Sequence, residues 1–293
     1  MEKFALVNSN CVSQIPHTCA SSSNENTKSR IVDAIELYRA LEDDSERFLV
    51  RASDDQLYLL KLVNSQLRRR LVANEALTSI LLEKLELPTP NWAAVHISEE
   101  FIDMYPALWF GPGKRRRRPK AGLHFGSQLV MGKDKSPPYE FLPSSWISRV
   151  RNSEEFIGIT VFDRWCGSRQ IRQVQYVRDD SNRSLRAVFV GHGYCLSDSQ
   201  LSFRNRTSNK SQSENVRTTD QRNYEQILAS GTLKRWAQRI GAISLGDLWD
   251  ALSLIPEEWT APNEFQRVAP FLMKRYVDLQ AEFPSLPMER TPS

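Results

Sequence analysis

Lys61 and Glu75 are the two charged residues whose surroundings most strongly suggest a chemical role. Lys61 stands in the apolar run 57–63, whose length and composition predict a strand that is apolar on both faces. A buried ammonium group is costly unless it is paired. Glu75 lies on the next predicted helix between Ala73 and Ala76, and small residues allow a helix to approach a sheet closely. The sequence therefore predicts a Lys61–Glu75 ion pair. The alternatives are a Lys61 that reaches solvent from a strand edge and a Glu75 that is an ordinary solvated helix residue.

The cysteines are the next candidates for chemistry. The chain has four of them, at positions 11, 19, 166 and 195, and they include no CxxC pair, which argues against zinc ligation. Cys166 lies in the segment 165–173, and Cys195 lies just after the segment 187–193. These two thiols could be close in space. We interpret all four as reduced thiols of a cytosolic protein.

Composition and charge exclude several classes of protein. The 293 residues are 40% hydrophobic and 25% charged, which is ordinary for a soluble protein. A net charge of +4 is too small to argue for nucleic-acid binding by the whole molecule. The sequence contains no apolar run of the roughly 20 residues that a membrane helix needs, and the apolar patch 4–7 is too short for a secretory signal.

The first half of the chain predicts a sheet with one long helix. A helix beginning near Ser29 is expected from the spacing of Ile31, Ile35, Leu37, Tyr38 and Leu41. Strands are predicted at 48–51, 57–63, 92–97 and 123–130, with a turn at 53–55, and a helix at 66–85. The basic run 114–120 between the last two strands is predicted to be a solvated loop, with nucleic-acid contact as the alternative.

The second half of the chain is mostly helical in pattern. Helices are predicted from about 153 to Gly167 and at 224–228, 233–240, 245–254 and 265–283. Two strands, 171–178 and 185–190, follow the first of these helices. The segment 197–223 is polar and predicts an insertion without packed structure.

Short phrases in this order resemble the HipA-like kinase domain family, of the short bacterial type. The matching phrases lie at 59–62, 73–75, 87–90, 123–126, 140–143, 161–165, 172–173, 192–193 and 255–259. Each phrase is weak by itself, but together they follow the family order over about residues 31 to 283. The resemblance implies an α+β fold of two lobes: an N-lobe of antiparallel sheet plus helix, and a mostly helical C-lobe.

The sequence composition and the resemblance together predict a domain organisation. Residues 1–30 are expected to be a disordered leader, 31–141 the N-lobe and 142–283 the C-lobe. The polar insertion 197–223 falls within the C-lobe, and 284–293 form a tail. The lobes are expected to meet near the connector that ends at Pro143.

The family assigns nucleotide chemistry to particular positions. By resemblance, Lys61 contacts ATP phosphates and pairs with Glu75, while Ser45 and Gln173 complete the nucleotide site. The catalytic base of the family, usually the Asp of Asn-x-Asp-x-Arg-Gln, is replaced here by Gln170.

The metal-binding and phosphate-binding positions of the family differ too. The metal-binding Asp, usually in Asp-His-Gly, is replaced by Gly191. Asp43 and Asp44 stand where paired glycines usually precede Ser45, and their charges would repel phosphates. Asp163, Asp179, Asp180 and Asp198 are the other nearby acids, and none is an obvious substitute.

These departures predict a kinase fold that has lost catalysis. Gln170 cannot accept a proton at neutral pH, and Gly191 offers no oxygen ligand to Mg²⁺. We therefore expect a pseudokinase acting as a binding or regulatory module, with ATP as a possible ligand, weak or no Mg²⁺ and no other metal. The alternatives are an active ATP-dependent kinase with displaced acids, and a nucleic-acid-associated partner. The nucleic-acid contact would use the basic residues Lys114, Arg115, Arg116, Arg117, Arg118 and Lys120. An unidentified protein partner and a cytoplasmic location are expected.

Overall fold

The protein is described from a computed structural model, which places residues 30–40, 47–109, 117–168, 172–179, 184–196, 232–260 and 267–282. Several predicted features lie outside these described residues. They are the leader up to residue 29, Asp43, Asp44, Ser45, Lys114, Arg115, Arg116, Gln170, Asp180, Asp198, the insertion 197–223, the helix 224–228 and the tail.

Strands from the first half of the chain close into a barrel. The strands are β1 (Ile31–Ala40), β2 (Arg47–Ala52), β3 (Leu57–Lys61), β4 (Trp92–Ile97) and β5 (Gly122–Gln128), in the order β1-β2-β3-β5-β4. Neighbouring strands pair antiparallel except β1 and β4, which run parallel and close the barrel. The prediction of an antiparallel sheet is therefore wrong at this contact.

The prediction of a helix after Ser29 is also wrong, because β1 is a strand. Ile31 and Ile35 are exposed, whereas Val32 and Ala34 between them pack on the core of the barrel. The two isoleucines are four residues apart, a spacing that suits a helix and a strand equally. Pairing with β2 and β4, which are distant in sequence, decides the outcome.

The hairpin and the long helix agree with the sequence prediction. In β3, Tyr58 and Leu60 are buried, and they point to the face opposite Lys61. The first helix, α1 (Gln66–Lys84), begins after Ser65, whose hydroxyl accepts a hydrogen bond from the backbone N–H of Arg68 at 3.2 Å. A short helix, α2 (Glu99–Met104), and a 3₁₀ turn (Pro106–Leu108) follow β4.

The rest of the chain consists of helices and one hairpin. After a 3₁₀ turn (Ser144–Arg149), the described elements are α3 (Glu155–Cys166), β6 (Gln173–Arg178), β7 (Leu185–Val190), α4 (Thr232–Gly241), α5 (Leu245–Ser253), a 3₁₀ turn (Glu257–Trp259) and α6 (Val268–Glu282). Helix α3 ends as predicted at Gly167, which has a φ of 66°. Glycine adopts this left-handed conformation without steric cost. Across the described ranges, no helix combines the length and apolar character needed to cross a membrane.

One apolar core connects the barrel to the helical part. It contains Leu77 of α1, Phe125 of β5 and Trp165 of α3. Trp259 packs against Phe125 with ring centroids 6.3 Å apart, and its indole N–H donates to the backbone carbonyl of Leu123 at 3.0 Å. This shared core packs the outer surface of the barrel against α1 and the helical part. A separate core fills the barrel interior.

Candidate active site

Lys61 and Glu75 form the ion pair that the sequence predicts. The Lys61 Nζ lies 2.6 Å from both carboxylate oxygens of Glu75. The Glu75 side chain is only 7% exposed, whereas that of Lys61 is 29% exposed. The ammonium group also lies 5.7 Å from the centre of the Phe125 ring. Glu75 is therefore a buried anion, and its partner Lys61 keeps a route to solvent.

Helix α1 is fixed against the segment that follows β7. The side-chain amide of Asn74 donates to the backbone carbonyls of Gly193 and Cys195, at 3.4 and 3.0 Å. A β-carbon on Gly193 would lie 3.1 Å from the carbonyl oxygen of Leu71 and 3.4 Å from Glu75 Oε2. The glycine allows this close approach, which places the Lys61–Glu75 pair beside the residues after β7.

Arg172 and Asp163 form a second buried ion pair next to the first. The Arg172 side chain is 5% exposed and that of Asp163 is 19% exposed. The guanidinium contacts both carboxylate oxygens, with Nε 3.3 Å from Oδ2 and Nη2 donating to Oδ1. Burial raises the pKa of Asp163, and Arg172 opposes the rise. Burial lowers the pKa of Arg172, but Asp163, Cys195 and Cys166 together hold it above its ordinary value.

His192 connects Arg172 to the barrel side of the site. Its Nδ1 contacts the Arg172 guanidinium, and its Nε2 lies 2.8 Å from the Thr89 hydroxyl. A guanidinium can only donate, so Nδ1 accepts and Nε2 carries the proton. Burial, followed by the charges of Arg172 and Lys61, holds the pKa of His192 well below its ordinary value. This histidine is neutral at physiological pH and serves as a fixed bridge.

Cys166 and Cys195 are brought together, as the sequence suggested. Both are buried free thiols, and together with Asp163 they form a group whose candidate ligand atoms all lie within 4.8 Å of one another. Arg172 Nη2 donates to Cys195 Sγ at 3.4 Å and also binds Asp163. A guanidinium already neutralises this cluster, so a divalent metal ion is electrostatically disfavoured there.

Gly191 lies at the end of β7 in a left-handed conformation, with a φ of 75°. A β-carbon at this position would lie 2.9 Å from the side-chain oxygen of Gln173, the first residue of β6. The position that the resemblance assigns to a metal-binding acid is thus covered by the neutral amide of Gln173. Gln170, the position assigned to the base, and Ser45 lie outside the described residues.

The other described acid, Asp179, lies at the opposite end of β6. It lies six positions after Gln173 in nearly extended chain, which corresponds to roughly 20 Å. Its carboxylate contacts Lys133 at 3.0 Å and Arg151 at 3.8 Å. Asp179 therefore belongs to a surface ion-pair group away from the Lys61 site.

Sequence reasoning missed the network around Arg172. No local pattern pairs Asp163 with Arg172 or singles out Asn74 and Thr89. The available signal was an arginine and a histidine in two segments already expected to meet, with an aspartate nine residues before the arginine. When they are buried, an arginine, a histidine and an aspartate can pair with one another.

The basic run is only partly described. Arg118 is bound to acids of α2: its guanidinium lies 2.7 Å from Asp103 and also contacts Glu99. Arg117 and Lys120 are exposed. The charge of Arg118 is therefore shared with neighbouring carboxylates rather than fully available to a polyanion.

Comparison with known proteins identifies the family. A family model described as HipA-like kinase matches residues 31–278. This match covers most of the chain, which therefore belongs to the HipA-like kinase family. The comparison with curated proteins gave no match.

Proposed function

We propose that this chain has the two-lobed kinase fold of its family, with the barrel and α1 in the N-lobe, and acts as a pseudokinase. Its function would be to bind a nucleotide and a protein partner rather than to transfer phosphate. The observation that carries this proposal is the environment of Gly191, which presents a neutral glutamine amide where an Mg²⁺ ligand is expected. A neutral amide oxygen, unlike a carboxylate, brings no negative charge to offset that of a hard cation such as Mg²⁺.

The described acids near the site support this proposal. Asp163 has both carboxylate oxygens engaged by Arg172. To serve as a base or a metal ligand it would have to leave a buried arginine without its anion, at a cost of several kcal/mol. Asp179, beyond the far end of β6 from Gln173, is engaged by Lys133 and Arg151.

The Lys61–Glu75 pair supports retained nucleotide binding. A lysine held by a glutamate, with part of its side chain exposed, is arranged to contact an anionic ligand such as a phosphate group. We expect ATP to bind with little dependence on Mg²⁺, because the lysine is present and the metal-binding acid is not.

Transfer of labelled phosphate from ATP tests the proposal directly. Purified protein is incubated with γ-labelled ATP and Mg²⁺, with and without a generic protein substrate, beside the Lys61→Met variant. We expect no label transfer above that of the variant. Binding of ATP, measured by calorimetry without Mg²⁺, should be present in the original chain and weakened in Lys61→Met.

The second candidate is an active kinase with displaced acids, and the intact Lys61–Glu75 pair favours it. The same experiment distinguishes the two. Phosphate transfer that Lys61→Met abolishes would establish the active kinase and overturn the pseudokinase.

A further inference from the structure

The buried thiols Cys166 and Cys195 join two segments that are distant in sequence. Cys166 is the last residue of α3, and Cys195 follows β7. Their sulfur atoms lie within 4.8 Å of each other, and the backbone N–H of Leu196 donates to the carbonyl of Cys166 at 2.8 Å. The two backbones are thus already held side by side, and a disulfide requires a further approach of the sulfurs to about 2.0 Å.

The surroundings of the two sulfurs are different. Cys195 Sγ accepts a hydrogen bond from the Arg172 guanidinium at 3.4 Å. Cys166 Sγ instead donates to the backbone carbonyl of Asp163 at 3.6 Å. A positive donor stabilises a thiolate, and a carbonyl acceptor stabilises a protonated thiol. The cluster therefore distinguishes a nucleophilic sulfur from a second sulfur that stays protonated.

The titration of the two thiols follows the same asymmetry. The neighbouring Cys166 side chain, with help from Arg172, lowers the pKa of Cys195 despite its burial. Burial raises the pKa of Cys166 well above its ordinary value, and the charges of Cys195 and Asp163 add to the rise.

We propose that Cys166 and Cys195 are a redox modification site, at which hydrogen peroxide converts the two thiols into a disulfide. The Cys195 thiolate attacks one peroxide oxygen, the O–O bond breaks, and Cys195 becomes a sulfenic acid as hydroxide leaves and takes up the proton that Cys195 lost on ionisation. The Cys166 sulfur then attacks the Cys195 sulfur and displaces a second hydroxide, which takes the Cys166 proton. The net change is two thiols and one peroxide to one disulfide and two waters.

The modification would act on the contact between α1 and the segment after β7. Cys195 presents its backbone carbonyl to Asn74, the neighbour of Glu75. A disulfide would tie this carbonyl to the end of α3 and remove the anionic partner that Arg172 finds in the Cys195 sulfur. The inference does not depend on whether the chain transfers phosphate, since it rests on the thiol cluster alone.

The experiment uses the full chain with Cys11→Ser and Cys19→Ser, so that the two proposed thiols are the sole cysteines. The folded protein is treated with hydrogen peroxide, and free thiols and intact mass are measured. We expect both thiols to be lost together, the mass to fall by that of two hydrogen atoms, and a 166–195 linked peptide to be recovered. Dithiothreitol should restore both thiols. Retention of both thiols in folded protein, or oxidation of either one to a stable sulfinic acid without a link, would overturn the proposal.

Single variants test the order of attack. In this background, Cys166→Ser leaves Cys195 without a resolving thiol, and a sulfenic acid at Cys195 should react with dimedone. In the matched Cys195→Ser variant, labelling of Cys166 should be at least tenfold slower. Circular dichroism checks that both variants are folded, and alanine replaces serine at either site if one is not. Equal labelling of the two cysteines would overturn the assigned roles.

Discussion

The side chain of Asn74 donates a hydrogen bond to the backbone carbonyl of Cys195, 121 residues away, at 3.0 Å. Asn74 precedes Glu75 on α1, so the helix that carries the buried glutamate is fixed directly to the segment after β7. The Lys61–Glu75 pair and the Arg172–His192–Cys195 cluster are consequently one connected polar site. A substitution in either part should therefore affect the other part.

Replacement of Asn74 by alanine should destabilise the protein. The change removes the donor for two buried carbonyls, so we expect the free energy of unfolding to fall by about 1–3 kcal/mol. Urea denaturation followed by tryptophan fluorescence measures it. The control is Asn91→Ala, which removes an exposed hydrogen bond to Gln128 and should cost less than about 0.5 kcal/mol. If the two variants had equal urea midpoints, the Asn74 hydrogen bonds would not hold α1 against the segment after β7.

Replacement of Lys61 by methionine should cost more than an exposed ion pair is worth. It leaves the Glu75 carboxylate, with its side chain 7% exposed, without its partner. We expect a loss of about 3 kcal/mol, at the low end for buried pairs because Lys61 is 29% exposed. The double variant Lys61→Met/Glu75→Gln should recover much of this loss, since no unpaired charge remains.

The matched control for Lys61 is Arg235→Met. Arg235 pairs with Glu154 at 2.7 Å, but both side chains are largely exposed. This variant should cost at most about 1 kcal/mol. If Lys61→Met were no more costly than Arg235→Met, Glu75 would have to reach water or another cation when Lys61 is removed.

The Gly191→Asp variant should fold and contain a weak site for Mg²⁺. Aspartate tolerates the left-handed conformation better than most residues, and Gln173 Oε1, the nearest atom at 2.9 Å, belongs to a flexible exposed side chain. We expect a cost of about 1–2 kcal/mol from backbone strain. Binding of Mn²⁺ as a paramagnetic probe, measured with ATP present, should appear in Gly191→Asp.

Gly191→Asn is the control for the carboxylate, because it imposes the same strain without the charge. The double variant Gln170→Asp/Gly191→Asp tests whether the scaffold can regain catalysis. Phosphate transfer by the double variant, absent in Gly191→Asn, would show that lost acids account for inactivity. If Gly191→Asp and Gly191→Asn bound the metal equally, position 191 would not be the metal-binding position that the resemblance implies.

The stability of the fold should decrease in acid because of His124. Its Nδ1 accepts from the backbone N–H of Val63 at 2.9 Å, and its Nε2 lies 2.9 Å from the carbonyl of Lys120. Burial lowers the pKa of His124 from 6.5 to about 4. Between these two pH values the unfolded chain binds more protons than the folded chain, so stability rises with pH across the window.

The contribution of His124 is therefore complete above about pH 6.5 and lost as the pH falls to about 4, with a total of at most about 3 kcal/mol. Denaturation measured at several pH values checks this. His124→Gln should be less stable at neutral pH but lose less stability between pH 7 and pH 4. A steep slope retained in His124→Gln would exclude His124 as its source.

Local patterns in the sequence were sufficient for several elements of this protein. The hairpin of β2 and β3 has a turn sequence between two apolar runs, α1 has a capping serine, and α3 has a glycine at its end. The Lys61–Glu75 pair was also predictable, because an ammonium in an apolar strand requires a nearby anion. The order of short phrases along the chain was specific enough to indicate the HipA-like kinase family.

Tertiary structure alone decided the rest. The residues of β1 have spacings that fit a helix or a strand, and only pairing with β2 and β4 selects the strand and closes the barrel with a parallel contact. Arg172, Asp163 and His192 form their network because burial forces charges that are separate in sequence to satisfy one another. The asymmetric surroundings of Cys166 and Cys195 have the same origin. Local sequence fixes backbone preference and charge, whereas long-range packing determines which buried groups become partners.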